Sequence, residues 1–222
     1  MSTYLISDIH GDLERWEEMK NKIHLSHQDK MIIIGDVIDR GEHGIKILKE
    51  IIDTPNMHML LGNHELMMVD AEVNKDKAVI DNWINDNGGY PTARDLYDDP
   101  NGDDIIEYIK SKVKVKAKTK TSDGRIFRLA HAWPFDDIEN TVWYRADRNA
   151  KPPIKEGEIF VCGHTPVINL YTQEELRDTY YSHARILYTP HYINIDCGCG
   201  HTADKRCCLS CLRIDDMAEF YV

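Results

Sequence analysis

The chain predicts an α/β fold of the two-sheet sandwich type, on three observations. The first 70 residues alternate short apolar runs with segments of helical apolar spacing, a helical and turn-rich middle follows, and the second half is rich in strand patterns. A length of 222 residues, against about 150 per domain, accommodates a single domain over 1–222 with a helical insertion at about 67–111.

In order, Thr3 to Ser7 reads as a strand, and Leu13, Trp16, Met19 and Ile23 then mark one face of a helix. Lys30 to Ile34 is a second strand, Ile45, Leu48, Ile51 and Ile52 a second helix, and Met57 to Leu61 a third strand. These strand runs are nearly continuous rather than alternating, as expected where both faces of a sheet are covered by helices. Val79, Ile80, Trp83 and Ile84, then Ile105, Ile106 and Ile109, mark helices separated by Asn87-Gly88-Gly89 and Asp98 to Gly102. From Lys112 to Lys120 lysines alternate with Val113, Val115, Ala117 and Thr119, which reads as a strand with one solvated face, docking of an acidic substrate being the alternative. Thr121 to Gly124 turns it into a hairpin with Arg125 to Ala130. Glu158 to Cys162, Tyr192 to Ile195 and Cys208 to Ile214 are further strands, the last pairing with Ala218 to Val222.

The chain is 42% hydrophobic and 29% charged, with 13 Gly and 8 Pro, a composition that folds. Lys+Arg 27 against Asp+Glu 38 leaves a net charge of -11, which argues against nucleic acid and anionic membranes as partners. No run approaches the roughly 18 apolar residues of a membrane helix, and Met1 to Asp8 lacks a signal-peptide pattern, so a cytoplasmic location is expected. Cys162 stands alone while Cys197, Cys199, Cys207, Cys208 and Cys211 crowd together. With no export signal they are expected to be reduced, and strand patterning reads most of them as small buried residues; Cys208-Leu209-Ser210-Cys211 supplies one half of a zinc site, which leaves structural zinc as the alternative.

Chemistry concentrates at strand ends. The first three strands run into Asp8-Ile9-His10-Gly11, Gly35-Asp36-Val37-Ile38-Asp39-Arg40-Gly41 and Gly62-Asn63-His64-Glu65. Two later strands end in Ala130-His131-Ala132 and Gly163-His164-Thr165. Ligands gather beyond the carboxyl ends of such strands, so all five clusters are expected to face one crevice. Each alone reads as an ordinary turn or helix cap. Independent turns have no reason to carry His or Asp in every case. Asp8, His10, Asp36, Asn63, His131 and His164 form a carboxylate, imidazole and amide set suited to two divalent metals of intermediate hardness. Asp36, on the middle strand, is the natural bridge, and Gly11 permits the bend that brings Asp8 and His10 to one ion.

This series of motifs, from Ser7 to about Gly200, resembles the phosphoprotein phosphatase family of dinuclear metallophosphoesterases. It is most similar to the small bacterial and phage lambda type serine/threonine protein phosphatases, which share a Trp followed by Asn-Gly-Gly, here Trp83 and Asn87-Gly88-Gly89, and a Trp-x-Arg segment, here Trp143-Tyr144-Arg145. The resemblance implies a calcineurin-like metallophosphoesterase sandwich. It places Asp8, His10 and Asp36 on one metal, and Asp36, Asn63, His131 and His164 on the other. Manganese is the expected ion, with iron, zinc or nickel as alternatives. Arg40 and Arg145 would bind phosphoryl oxygens, His64 would protonate the leaving group, and Asp39 would orient and polarise His64.

The expected function is therefore an enzymatic one: hydrolysis of a phosphomonoester on a phosphorylated protein or peptide, by direct attack of a metal-bridging water. Diadenosine tetraphosphate hydrolases are the nearest alternative. They typically carry Ala where Asp39 stands and Asp where Glu65 stands, which sides the chain with the protein phosphatases. A nuclease or other phosphodiesterase comes third, opposed by the acidic balance and the Asp-Arg-Gly motif, and a non-catalytic metal-binding scaffold is the non-enzyme alternative, opposed by the complete set of ligands and arginines. His201 is expected at the surface of a loop near the site, and Trp133 and Phe135 either line the cleft or belong to the core. Oligomeric state is not legible in the sequence.

Overall fold

The computed structural model describes residues 1–177, 183–201 and 203–222. The opening alternation forms β1 (Thr3–Ile6), α1 (Leu13–Ile23), β2 (Lys30–Ile33), α2 (Gly44–Asp53) and β3 (Met57–Met59). Asp12 caps α1 by accepting from the Arg15 N–H at 3.1 Å, and Trp16, Met19 and Ile23 form its buried face. The helical region then runs through α3 (Asn63–Asn74), α4 (Lys77–Asp81), a π-helical turn (Asn82–Asp86), α5 (Tyr90–Asp98) and α6 (Gly102–Lys112).

It begins four residues earlier than expected, because α3 starts inside the Gly-Asn-His-Glu motif. Gly62 is the N-cap and Glu65 folds back on its N–H, 3.0 Å away. The lysine-rich strand begins later, as β4 (Lys116–Lys120), because α6 runs on to Lys112. The hairpin partner is β5 (Ile126–Ala130), in the expected antiparallel register. There follow α7 (Ile138–Trp143), β6 (Glu158–Cys162), a 3-10 turn (Val167–Leu170), α8 (Gln173–Arg177), β7 (Leu187–Tyr188), β8 (Ile193–Asn194), β9 (Ser210–Arg213) and β10 (Ala218–Tyr221). The short α7, α8 and β7 carry too few residues to show a period.

The described residues form two five-stranded sheets, in the orders β10-β9-β1-β2-β3 and β4-β5-β6-β8-β7. In the first, β1, β2 and β3 are parallel and β9 returns antiparallel to β1. Tyr4, Ile6, Met31 and Ile33 pack against the helices, whereas Leu5 and Ile32 face Phe127, Leu129 and Val161 of the second sheet. The apolar runs are thus buried on both faces as expected, but by helices on one side and a second sheet on the other. Trp133 packs with Phe160 and Tyr192 in a separate outer cluster, so it is core rather than cleft. This arrangement points the ends of β1, β2, β3, β5 and β6 into one region.

Candidate metal centre

The loops after β1 and β2 run side by side, the amides of Asp8, His10 and Gly11 donating to the carbonyls of Gly35, Asp36 and Val37 at 3.1, 3.0 and 2.8 Å. The bend expected at Gly11 is shared: Asp8, His10 and Gly11 all have positive φ, as do Asp36, Asp39, Arg40 and His164. Non-glycine residues in this region are strained, and here the strain sits on the residues singled out for chemistry. Close approach elsewhere depends on glycine: a Cβ at Gly62 would collide with Oδ1 of Asp36, and one at Gly163 with Ser7 and Asp8.

Asp36 occupies the centre. Its Oδ2 lies 3.6 Å from Nε2 of His10 and 3.9 Å from Nε2 of His64, while its Oδ1 lies 3.3 Å from Nε2 of His131. The carboxylate thus belongs to two candidate ligand groups at once, with His10 and His64 on one side and His131 and His164 on the other. Asn63 Oδ1 lies 3.0 Å from Nε2 of His131 and 2.9 Å from Nδ1 of His164. Asp8 lines the same cavity and accepts from the backbone N–H of His164 at 3.1 Å.

The outer hydrogen bonds assign the imidazole nitrogens. His10 Nδ1 donates to the carbonyl of Ile38 (3.1 Å), His131 Nδ1 to Ile34 (2.7 Å) and His164 Nε2 to Trp143 (3.2 Å). In each neutral ring the other nitrogen turns its lone pair inward, the arrangement that fixes metal-ligating histidines. In the metal-free protein His131 is protonated and its Nε2–H donates to Asn63 Oδ1, whereas neutral His164 turns its Nδ1 lone pair on that same acceptor, an opposition that a bound cation would relieve. Asp36, Asn63, His131 and His164 therefore fit one divalent ion; on the other side the close group is His10, Asp36 and His64, which the expected ligand Asp8 does not join, and among the described residues no cysteine joins a candidate ligand group of three. Apart from half-buried Cys208, the cysteines are buried and free, as small core residues.

Charge follows this geometry. Burial pushes Asp36 up, but His131, His64 and His10 hold it well below the usual carboxylate range. Burial, with His64 and Arg40, keeps His10 neutral, and burial with His131 lowers His164 to about 3. Burial also works against charge on His131, but Asp36 and Asp8 outweigh it and raise its pKa to about 10. Burial raises Asp8, an effect that His131 opposes and Asp36 reinforces.

The expected acid sits at the rim. His64 Nδ1 is 2.7 Å from Oδ2 of Asp39, both side chains being buried, and its Nε2 faces the cavity 3.2 Å from Nη2 of Arg40. Burial disfavours charge on His64, but Asp36 and Asp39 more than offset this and raise its pKa. The cavity, about 350 Å³, is lined by both Arg40 and Arg145; the latter donates to the His164 carbonyl at 3.2 Å. His201 is exposed, as expected, but its Nε2 lies 3.5 Å from Nη1 of Arg40 and it lines the cavity.

Two supporting residues escaped the sequence reading. Glu65 is fully buried and accepts from the N–H groups of Asp36, Val37 and Gly62 at 3.0, 2.8 and 3.0 Å, tying the loop after β2 to the start of α3. Its position three residues after Gly62 was the available signal. Asp196, also buried, lines the cavity. It stands two residues beyond β8, as Asp8 does beyond β1, and that parallel could have found it.

Residues 1–210 match the calcineurin-like phosphoesterase family, and the chain belongs to it. The fold and the family are those of a metallophosphoesterase. Among curated relatives it is similar to the symmetrical bis(5'-nucleosyl)-tetraphosphatase of Yersinia pestis, 30% identical over 116 residues, 50% of this chain and 36% of that protein. The counterpart in Haemophilus ducreyi is 34% identical over 71 residues, 31% of this chain and 26% of that protein. The matched stretches thus span between about a quarter and just over a third of those relatives. Among solved structures, a candidate diadenosine tetraphosphatase superposes with a TM-score of 0.63 at 15% identity, covering 99% of this chain and 92% of that one. A protein serine/threonine phosphatase from Saccharomyces cerevisiae gives 0.53 at 10% identity, covering 96% and 72%. These two likenesses show the fold. Among the described residues no helix is long and apolar enough to cross a membrane.

Proposed function

We propose that the chain hydrolyses phosphomonoesters with poor leaving groups, foremost phosphoserine or phosphothreonine in a protein or peptide. The observation that carries this reading is the buried Asp39–His64 pair, with Nδ1 held at 2.7 Å and Nε2 open to the cavity beside Arg40. An alkoxide needs a proton as it departs, and an imidazole oriented by a carboxylate is built to deliver one.

Asp8, His10 and Asp36 would hold one divalent ion, and Asp36, Asn63, His131 and His164 the other. When bound, such ions acidify a water and neutralise phosphoryl charge. Arg40 and Arg145 line the cavity from two sides and bind the equatorial oxygens, stabilising charge that grows toward the transition state. Asp39 keeps the proton of His64 on Nδ1 in the neutral state, so that Nε2 is the nitrogen that exchanges with the leaving oxygen.

Symmetrical hydrolysis of a dinucleoside tetraphosphate is the second reading, and the curated relatives favour it over the first. Among the described residues that line the cavity none is Trp, Tyr or Phe, although the half-exposed Trp143 ring stands edge-on to His164 at its border, where an adenine could stack. The test is a panel assay of the manganese-loaded protein on phosphoserine peptide, phosphotyrosine peptide and diadenosine tetraphosphate. A kcat/KM highest on phosphoserine peptide supports the first reading; turnover confined to diadenosine tetraphosphate replaces it with the second.

A further inference from the structure

The chain has an excess of acid, yet one groove on its surface contains none. Where the edges of the two sheets meet, Leu60 bridges to Lys114 just before β4, and the Leu61 N–H donates to the Lys114 carbonyl at 2.9 Å. The groove at this seam, about 430 Å³, is lined by Lys30, His58, Lys112, Lys114, Lys116 and Lys118 among apolar residues, and by no carboxylate. Lys116 and Lys118 reach Asp136 and Glu158 outside it. Among the described residues no ion pair engages Lys30, Lys112 or Lys114. The potential is felt by His58, whose pKa is lowered by partial burial and then by Lys30 and Lys114.

Lysines along an edge strand commonly guard it against pairing with other chains. That accounts for Lys116, Lys118 and Lys120 but not for Lys30 on β2 or for Lys112 at the end of α6. Beside the groove, β4 is the outermost strand of its sheet, paired only with β5, and its lysines alternate on one face with exposed side chains. An extended chain laid along that free edge would meet main-chain donors and acceptors, and its alternate side chains would meet a cation every second residue.

We propose that this seam docks an extended acidic peptide segment, added as a strand to the free edge of β4 with its carboxylates on Lys30, Lys112, Lys114, Lys116 and Lys118. The charge match selects an acidic partner, and the unpaired strand edge selects a peptide over other polyanions. The surface goes beyond the catalytic reading: it stands whichever phosphoester the site cleaves, because the probe of its test carries no phosphate.

The experiment is a fluorescence anisotropy titration of the full chain with a labelled peptide of alternating Glu and Thr, at low ionic strength. Binding is expected for this peptide and not for its Gln-for-Glu counterpart. The triple variant Lys30→Gln, Lys112→Gln, Lys114→Gln should weaken it about tenfold, the combined effect of three exposed ion pairs. Lys-to-Arg replacement at the same positions should preserve binding. So should the equally discharged Lys46→Gln, Lys77→Gln, Lys151→Gln control, whose lysines are exposed elsewhere. Equal loss in that control would reduce the effect to net charge and overturn the proposal. So would unchanged binding in the first triple variant, loss in the Arg variant, or undiminished binding of a peptide N-methylated along one edge. Equally tight binding of an oligonucleotide or a polyphosphate would show an unselective anion groove and overturn it too.

Discussion

Oδ2 of Asp39 lies 2.7 Å from Nδ1 of His64 and accepts a second hydrogen bond, at 3.0 Å, from Nε1 of Trp83. Trp83 is fully buried in the helical region, so a segment remote from the strand ends holds the carboxylate that orients the acid. The adjoining Gly88 carbonyl accepts from the Arg40 N–H at 2.8 Å, and Gly89 lies so close to the Trp83 ring that a Cβ there would collide with it.

Acid catalysis is separable from metal catalysis by leaving group. His64→Asn should slow hydrolysis of phosphoserine by roughly 10² to 10⁴ while leaving metal content unchanged, and should cost much less on nitrophenyl phosphate, whose phenolate departs unprotonated. Asp39→Asn should show the same selectivity in milder form. Equal losses on both esters would show that His64 serves the ligand sphere instead.

Trp83→Phe keeps an aromatic ring but removes the N–H together with the pyrrole part of the indole, so thermal stability is to be measured beside the kinetics. A single hydrogen bond contributes about 1 kcal/mol, so kcat on phosphoserine should fall by up to about tenfold, with little change on the aryl ester. Steady-state kinetics on the two substrates decides this. An unchanged kcat on both would mean that Asp39 needs no support from the helical region.

Asp36→Asn should reduce the affinity for both ions together, because its two oxygens face different imidazole groups. Metal analysis after gel filtration should find less than one equivalent bound, whereas Arg145→Ala should retain the wild-type content and instead raise KM and lower kcat. Two tightly held ions in the Asp36 variant would remove it from the bridging position.

Metal loading should be coupled to proton release. With its pKa raised to about 10, His131 is protonated at neutral pH in the metal-free protein, and a ligating imidazole must be neutral. Apparent affinity should therefore rise with pH, up to about tenfold per unit for one displaced proton, and level off above pKa 10. The same shift stabilises the metal-free fold fully below about 6.5, the ordinary value of a histidine, and that contribution disappears as pH rises through about 10. Calorimetry in buffers of different ionisation enthalpy counts the protons; a count of zero would contradict the assignment.

Glu65→Gln should destabilise the fold by about 2–3 kcal/mol, since an amide offers one oxygen to donors that the carboxylate now shares between two. Urea denaturation should show the lowered midpoint. An unaltered midpoint would mean that Glu65 does not hold the loop after β2 against α3.

Much of the site was legible before the fold, because ligand chemistry is written in residue type and the strand ends are marked by local pattern. Asp8, His10, Asp36, Asn63, His64 and His164 line one cavity with Arg40 and Arg145, and His131 lies beneath it, reached through Asn63 and Asp36. The sandwich was legible as well, since apolar runs and alternating runs bury differently. Tertiary structure alone decided the contacts between distant residues: Asp39 with Trp83, 44 positions apart, and Asn63 with His164, 101 apart. It also decided that Glu65 would receive the backbone of another loop, that Asp196 would enter the cavity, and that Lys30 would join the lysines around β4. No periodicity encodes such meetings; they follow from which strand edges and helix ends the packed core brings together.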